Sequence, residues 1–221
     1  MRFCDIEIGH GLPATLCLSV TDALGPEMAA IRAEEIVDRT SGLQCFKAIC
    51  IRDDARDPET FVQTVSAVRS IWNGAVILHS EEPASLLTAS MSMEDKPLLT
   101  GCEPDSMEQL ASITGCPVSI RCRDLSTMLD HSGTIGENCV LDPDAINMKS
   151  CLELNTDLHR LSERLSEADR PILTRTWSGE YALAVASVSL MRYGSLIIMD
   201  DMDRDGCEVL DSLSISFADR S

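Results

Sequence analysis

Two textures alternate along the chain. Short runs rich in Val, Ile and Leu recur, and each is followed by a stretch in which apolar residues return every third or fourth position. The runs that read as strands cover 15–20, 46–51, 75–79, 97–100, 117–121, 139–142, 171–174 and 196–200. Most are apolar nearly throughout, as parallel strands buried on both faces must be. Between them, Ala29, Ala33, Ile36 and Val37 share one helical face, as do Phe61, Val65, Val68 and Trp72, and also Leu154, Leu158, Leu161 and Leu165. Asp57-Pro58 and Glu103-Pro104 put proline in a first helical turn, while Gly42, Gly115 and Gly194 mark helix ends.

Eight strand–helix units in one uninterrupted chain predict an α/β fold, a single (β/α)8 TIM barrel over 14–221. Its loops must be short, since 221 residues fall below the roughly 250 typical of the fold. Residues 1–13 are expected to form a short strand or a plug at the barrel bottom. An open doubly wound sheet is the competing architecture. Against it, the first strand leads into Ser19-Val20-Thr21-Asp22-Ala23-Leu24-Gly25, which is no Gly-x-Gly-x-x-Gly phosphate cradle.

Charge and composition then narrow the partners. Asp and Glu number 36 against 18 Lys and Arg, a formal charge of −18, which disfavours nucleic acid. No apolar run approaches the roughly 20 residues needed to span a bilayer, and the longest, 181–191, is broken by Ser187 and Ser189. Met1-Arg2-Phe3-Cys4-Asp5 lacks the apolar core of a signal peptide, so the expectation is a cytoplasmic protein with no membrane contact. None of the ten cysteines forms a Cys-x-x-Cys pair, the spacing that zinc ribbons and iron–sulfur clusters generally use. They read as small hydrophobes, and ten thiols with ten methionines suit an anaerobic cell.

In a barrel of this kind chemistry gathers where strands end. That rule selects Thr21, Asp22, Arg52, Asp53, His79, Thr100, Arg121, Asp142, Asp144, Asn147, Thr174, Arg175, Asp200 and Asp201. His79 has the titration range for a general base or a metal ligand, or else enters a helix and bonds to backbone. Asp142-Pro143-Asp144 with Asn147 nearby could hold a proton or a polar heterocycle, although one aspartate also serves as a helix cap. The run Asp201–Gly206 imitates a calcium loop, but Ser212 stands where the closing glutamate belongs. His10, His131 in a turn and His159 on a charged helical face do not gather into a metal site.

Five stretches and a sixth near the end resemble a known family in order and spacing. They are Arg52-Asp53 to Asp57-Pro58-Glu59-Thr60-Phe61, Lys96-Pro97-Leu98-Leu99, Cys116-Pro117-Val118, Val140-Leu141-Asp142-Pro143, Arg170-Pro171-Ile172-Leu173 and Leu190-Met191-Arg192-Tyr193-Gly194-Ser195-Leu196-Ile197-Ile198. Together they are similar to the barrel domain of the large (gamma) subunit of the corrinoid iron–sulfur protein, of the CO dehydrogenase/acetyl-CoA synthase system. The resemblance runs from about residue 14 to 205 and implies one-carbon metabolism in an anaerobe such as a methanogen. The family's iron–sulfur motif and cobalamin domain are not in this sequence. The resemblance thus implies a stand-alone docking or scaffold barrel with no covalently bound cofactor. Its partner would be a corrinoid protein, a paralogous barrel subunit or a second copy of itself. The alternative it implies is a methyltransferase-like enzyme, with Asp142, Asp144 and Asn147 holding a tetrahydropterin and the corrinoid supplied in trans. A barrel enzyme acting on an unrelated small metabolite is the third reading.

Overall fold

The structure, a computed structural model, describes residues 1–9, 11–177 and 181–218. Its hairpin strands are β1 (Arg2–Phe3) and β2 (Ile6–Glu7). Its barrel strands are β3 (Thr15–Thr21), β4 (Phe46–Arg52), β5 (Ala75–His79), β6 (Leu98–Thr100), β7 (Val118–Arg121), β8 (Cys139–Asp142), β9 (Ile172–Thr176) and β10 (Gly194–Met199). The helices that follow them are α1 (Pro26–Thr40), α2 (Pro58–Ile71), α3 (Pro83–Met91), α4 (Pro104–Thr114), α5 (Leu125–Ile135), α6 (Met148–Ser162), α7 (Ala182–Met191) and α8 (Arg204–Phe217). β3 to β10 pair in parallel and close on themselves through β10 and β3, so the chain is a (β/α)8 barrel. No helix of the described residues is long and apolar enough to cross a membrane.

Alternation along each strand separates two apolar clusters. Outward residues such as Leu18, Ile49 and Leu78 pack against the helices, whereas Cys17, Cys50, Ile77, Val140, Leu173 and Ile198 fill the barrel interior. Phe3 and Ile8, from the β1–β2 hairpin, join the interior cluster, and the Cys4 amide donates to the carbonyl of Lys96 just ahead of β6. The hairpin therefore covers the bottom of the barrel.

Proline opens α1, α2, α3 and α4, where the missing amide hydrogen costs nothing. Gly115 ends α4 in the left-handed region at φ 63°. Gly194 does not end a helix. The left-handed residue there is Tyr193, at φ 63°, and Gly194 opens β10 because a side chain would run into Ser189 of α7. α6 also differs from expectation: it stops at Ser162, its buried stripe is Cys151, Asn155 and Leu158, and Leu165 lies beyond it, 41% exposed. His131 sits inside α5, not in a turn, with Nδ1 2.6 Å from Glu108 Oε1 of α4; the cap at Asp124 starts a helix that outweighs the Asp, Ser and Gly around that histidine. His159 is half-buried and stacks on Tyr193 at 3.6 Å. His10 lies outside the described residues.

Candidate functional site

Because successive strand residues point to opposite faces, the last inward residue of each strand meets the others at the C-terminal mouth. Period two along the strands makes these Thr21, Arg52, His79, Thr100, Arg121, Asp142, Arg175 and Asp200. A chain with twice as many acids as bases thus places three arginines around one opening.

These charges are answered locally. Arg52 pairs with Asp200, with which Ser19 also bonds at 2.9 Å, and with Asp54 at 2.6 Å. Thr21 donates to the same Asp54 oxygen at 2.6 Å, and these donors hold the Asp54 carboxyl below the ordinary range despite partial burial. On the other side, Arg175 Nε lies 2.7 Å from Asp142 Oδ2, and its NH2 lies 3.3 Å from Asp144 Oδ1. The Nε–Oδ2 contact is close but off the hydrogen-bonding line, so both atoms lack a well-aligned partner. Asp142 and Arg175 are almost fully buried, with side chains 1% and 6% exposed. Burial pushes the Asp142 carboxyl up and the Arg175 guanidinium opposes that shift. Asp144 also receives Arg123 at 2.9 Å, and Asp144 itself sits at φ 50°. Among the described residues, Arg121 pairs only with the exposed Glu103, at 3.9 Å.

Trp177 roofs this arrangement. Its ring lies 4.8 Å from that of His79, with the guanidinium carbons of Arg52 and Arg175 at 5.1 and 5.7 Å from its centroid. Burial, followed by the fields of Arg175, Arg121 and Arg52, lowers the His79 pKa to about 3. This corrects the expectation of a base poised near neutrality: His79 is neutral at working pH and a weak base. Beneath it, Thr100 is buried and accepts a 2.6 Å bond from Ser119.

Several predicted residues stand apart from the mouth. Thr174 faces outward and bonds to Ser189 of α7 at 2.7 Å, since β9 runs two residues further than the sequence pattern implied. Asn147 is exposed and caps α6 in a capping box with Ser150. Asn147→Ala is therefore expected to cost about 1 kcal/mol, or roughly 2–4 °C in Tm by thermal melting, and to leave ligand or partner binding unchanged. Asp22 accepts the amides of Asp54 and Ala55, both at 2.8 Å, and Asp53 accepts Ser80 Oγ at 2.7 Å. Asp201 is held by Arg32 and Arg39, and Asp203 caps α8. Sequence reasoning missed Trp177, Asp54 and Ser19. The signal for Trp177 was present: Leu173, Arg175 and Trp177 continue one period-two series past the last apolar residue.

A cavity of about 320 Å3 opens beside the buried pair, between Asp142, Asp144 and Arg175 on one side and Ile146, Trp177 and Tyr181 on the other. Around the rim, Leu24, Ile146 and Tyr181 are 71%, 68% and 62% exposed.

Against known proteins, this architecture has many solved counterparts. A dihydropteroate synthase of Vibrio fischeri has a TM-score of 0.73 at 11% identity, over 98% of each chain. One of Coxiella burnetii, in complex with pteroic acid, has 0.71 at 11% identity, over 94% of this chain and 93% of that one. One of Yersinia pestis, with a pterine–sulfa conjugate, has 0.66 at 16%, over 92% and 94%. Identities this low show the fold alone. No curated protein matches the chain. The family model for the CO dehydrogenase/acetyl-CoA synthase delta subunit matches residues 12–218; the motif resemblance reached the same system through the barrel of its large subunit. The chain belongs to the CO dehydrogenase/acetyl-CoA synthase delta-subunit family.

Proposed function

We propose that this barrel is a docking subunit in corrinoid-dependent methyl transfer, presenting its C-terminal face to a corrinoid-bearing protein. Family membership supplies the context. The observation that carries the reading is that the mouth's charges are paired mainly with one another: Arg175 lies against Asp142 and Asp144, Arg52 against Asp54 and Asp200, and Trp177 packs on His79. Around these paired charges the rim exposes Leu24, Ile146 and Tyr181, apolar and aromatic groups that protein contacts prefer. The mouth does not fit a resident corrinoid, because its histidine is packed against Trp177, whose ring Arg52 and Arg175 also flank. The corrinoid is thus the partner's. Ten free thiols accord with a reducing, cytoplasmic setting.

One observation favours the enzymatic alternative, a methyltransferase moving a methyl group between a tetrahydropterin and a corrinoid supplied in trans. The cavity beside Asp142 is large enough for a small heterocycle, and two of the solved neighbours were determined with pterin-type compounds. Against it, Asn147 is absent from that cavity, and Asp142 is engaged by Arg175.

Surface-immobilised chain is expected to bind a corrinoid-bearing methyl carrier, and Ile146→Asp or Leu24→Asp to weaken that affinity about tenfold without changing Tm. Tetrahydropterin should leave Trp177 fluorescence unchanged in a Trp72→Phe background. Methyl transfer from a methyl-tetrahydropterin to added cob(I)alamin, dependent on this chain, would instead establish the enzyme.

A further inference from the structure

A second cavity, of about 190 Å3, lies where β4 and β5 end, lined by Asp53, Asp54, Arg56, His79 and Glu81. Asp53, just past β4, and His79, the last residue of β5, are neighbours: the Asp53 amide donates to the His79 carbonyl at 2.9 Å. Asp53 is 7% exposed and uses only one carboxylate oxygen. Its Oδ2 accepts Ser80 Oγ at 2.7 Å, whereas Oδ1 is buried with no hydrogen-bond partner among the described residues. Nδ1 of His79 is in the same condition. A buried carboxylate oxygen left unbonded is costly, so one beside a cavity marks the seat of a donor that comes from elsewhere.

Charge identifies the donor. Three carboxylates line this cavity against one cation, Arg56, which Glu81 holds at 3.0 Å. Arg52 reaches Asp54 at 2.6 Å and still leaves carboxylates in excess. His79 adds no charge, since burial and the mouth arginines keep it neutral. Among the described residues no three His, Cys, Asp or Glu are placed to hold a metal ion. A primary ammonium needs no such geometry, because it is compact and carries three donors on a slim aliphatic stem. A guanidinium is planar and calls for two coplanar acceptors instead. Resting on the docking reading above, we propose that this cavity receives a lysine side chain of the corrinoid-bearing partner, its ammonium against Asp53 with Asp54 and Glu81 around it. Ile146 and Tyr181 follow β8 and β9, diametrically opposite in the ring. The partner is thus fixed at two points and cannot swivel about the barrel axis.

Affinity for the corrinoid-bearing protein, measured on the immobilised full chain, tests this. Asp53→Asn should weaken it about tenfold or more, and Glu81→Gln about threefold, because an exposed charge contributes less. Acetylating the partner's lysines should reproduce the Asp53→Asn loss on the wild type and cause a much smaller one on the variant. A circular dichroism melt checks folding. Should Asp53→Asn unfold, Glu81→Lys serves as the second variant and should weaken binding about tenfold. Glu137→Gln removes the same charge from an exposed site just ahead of β8, at the opposite end of the barrel, and should leave affinity unchanged. Carbodiimide coupling of the complex should join Asp54 or Glu81 to a partner lysine, read as a cross-linked peptide. Binding indifferent to the cavity substitutions, or to lysine acetylation, overturns this proposal and leaves the docking reading standing. An equal loss in Glu137→Gln overturns it too, since net charge alone would then account for the effect. A chain that binds no corrinoid-bearing protein overturns both.

Discussion

Arg175→Ala is expected to destabilise the barrel by about 3–5 kcal/mol at neutral pH, lowering Tm by roughly 6–20 °C. The substitution removes the cation nearest Asp142, whose side chain is 1% exposed, and leaves a buried carboxylate with only the more distant field of Arg121. A buried pair contributes little net stability over an apolar replacement, but a single buried charge left behind is costly. The effect carries a pH signature. Burial already raises the Asp142 pKa, so the native state binds its proton more tightly than the unfolded chain does. Stability from such a group is present at low pH and is lost as pH rises through the raised pKa. Without Arg175 that pKa climbs further. The deficit of the variant should be largest near neutrality and should shrink on acidification, before the ordinary carboxylate range is reached. Adding Asp142→Asn to Arg175→Ala should recover most of the loss. Denaturant titrations of the wild type, Arg175→Ala, Asp142→Asn and the double variant across pH test this, and a deficit that is constant with pH, or that Asp142→Asn fails to relieve, contradicts the assignment.

Gly101→Ala should cost about 4 kcal/mol, roughly 8–16 °C in Tm, from two additive causes. Gly101 follows β6 with φ at 119°, a conformation L-residues avoid, and a Cβ there would collide with the Ser80 carbonyl oxygen and stand 2.8 Å from its carbon. The obstacle is backbone, part of the seam in which the Ser80 amide donates to Thr100 at 3.0 Å. Relief requires prising β5 from β6 where His79 and Asp53 are positioned. Gly42→Ala is the matched control: φ is 82°, but nothing lies within 4 Å of the added carbon. That variant should lose only about 1–2 kcal/mol, the conformational part alone. Equal losses at both sites would show that the β5–β6 seam yields freely.

The two readings of the mouth differ in how far they could be anticipated. Arg52, His79, Arg121, Asp142 and Asp200 were legible as a group because each ends an apolar run, and strand ends of one barrel share one face. Thr174 and Arg175 were legible only as a pair. Which of them points inward depends on where β9 stops, and a polar strand end looks like loop when read alone. Asn147 illustrates a different ambiguity, since an amide placed to bind a ligand and an amide capping a helix leave the same letter in the same position. The cap accounts for it locally, through Ser150.

What the sequence by itself determined is the barrel. Burial on two faces demands continuous apolar strands and burial on one face demands striped helices, and both are written in neighbouring residues. What only the tertiary structure decided is the state of the mouth. Arg52 meets Asp200 across 148 residues, Arg175 meets Asp142 across the β8–β9 connection, and Trp177 settles over His79. Those pairings depend on ring closure and on the register between β10 and β3, and a field summed over distant charges lowers the His79 pKa to about 3. No local pattern records such sums, because they exist only once the strand ends have been brought into one circle.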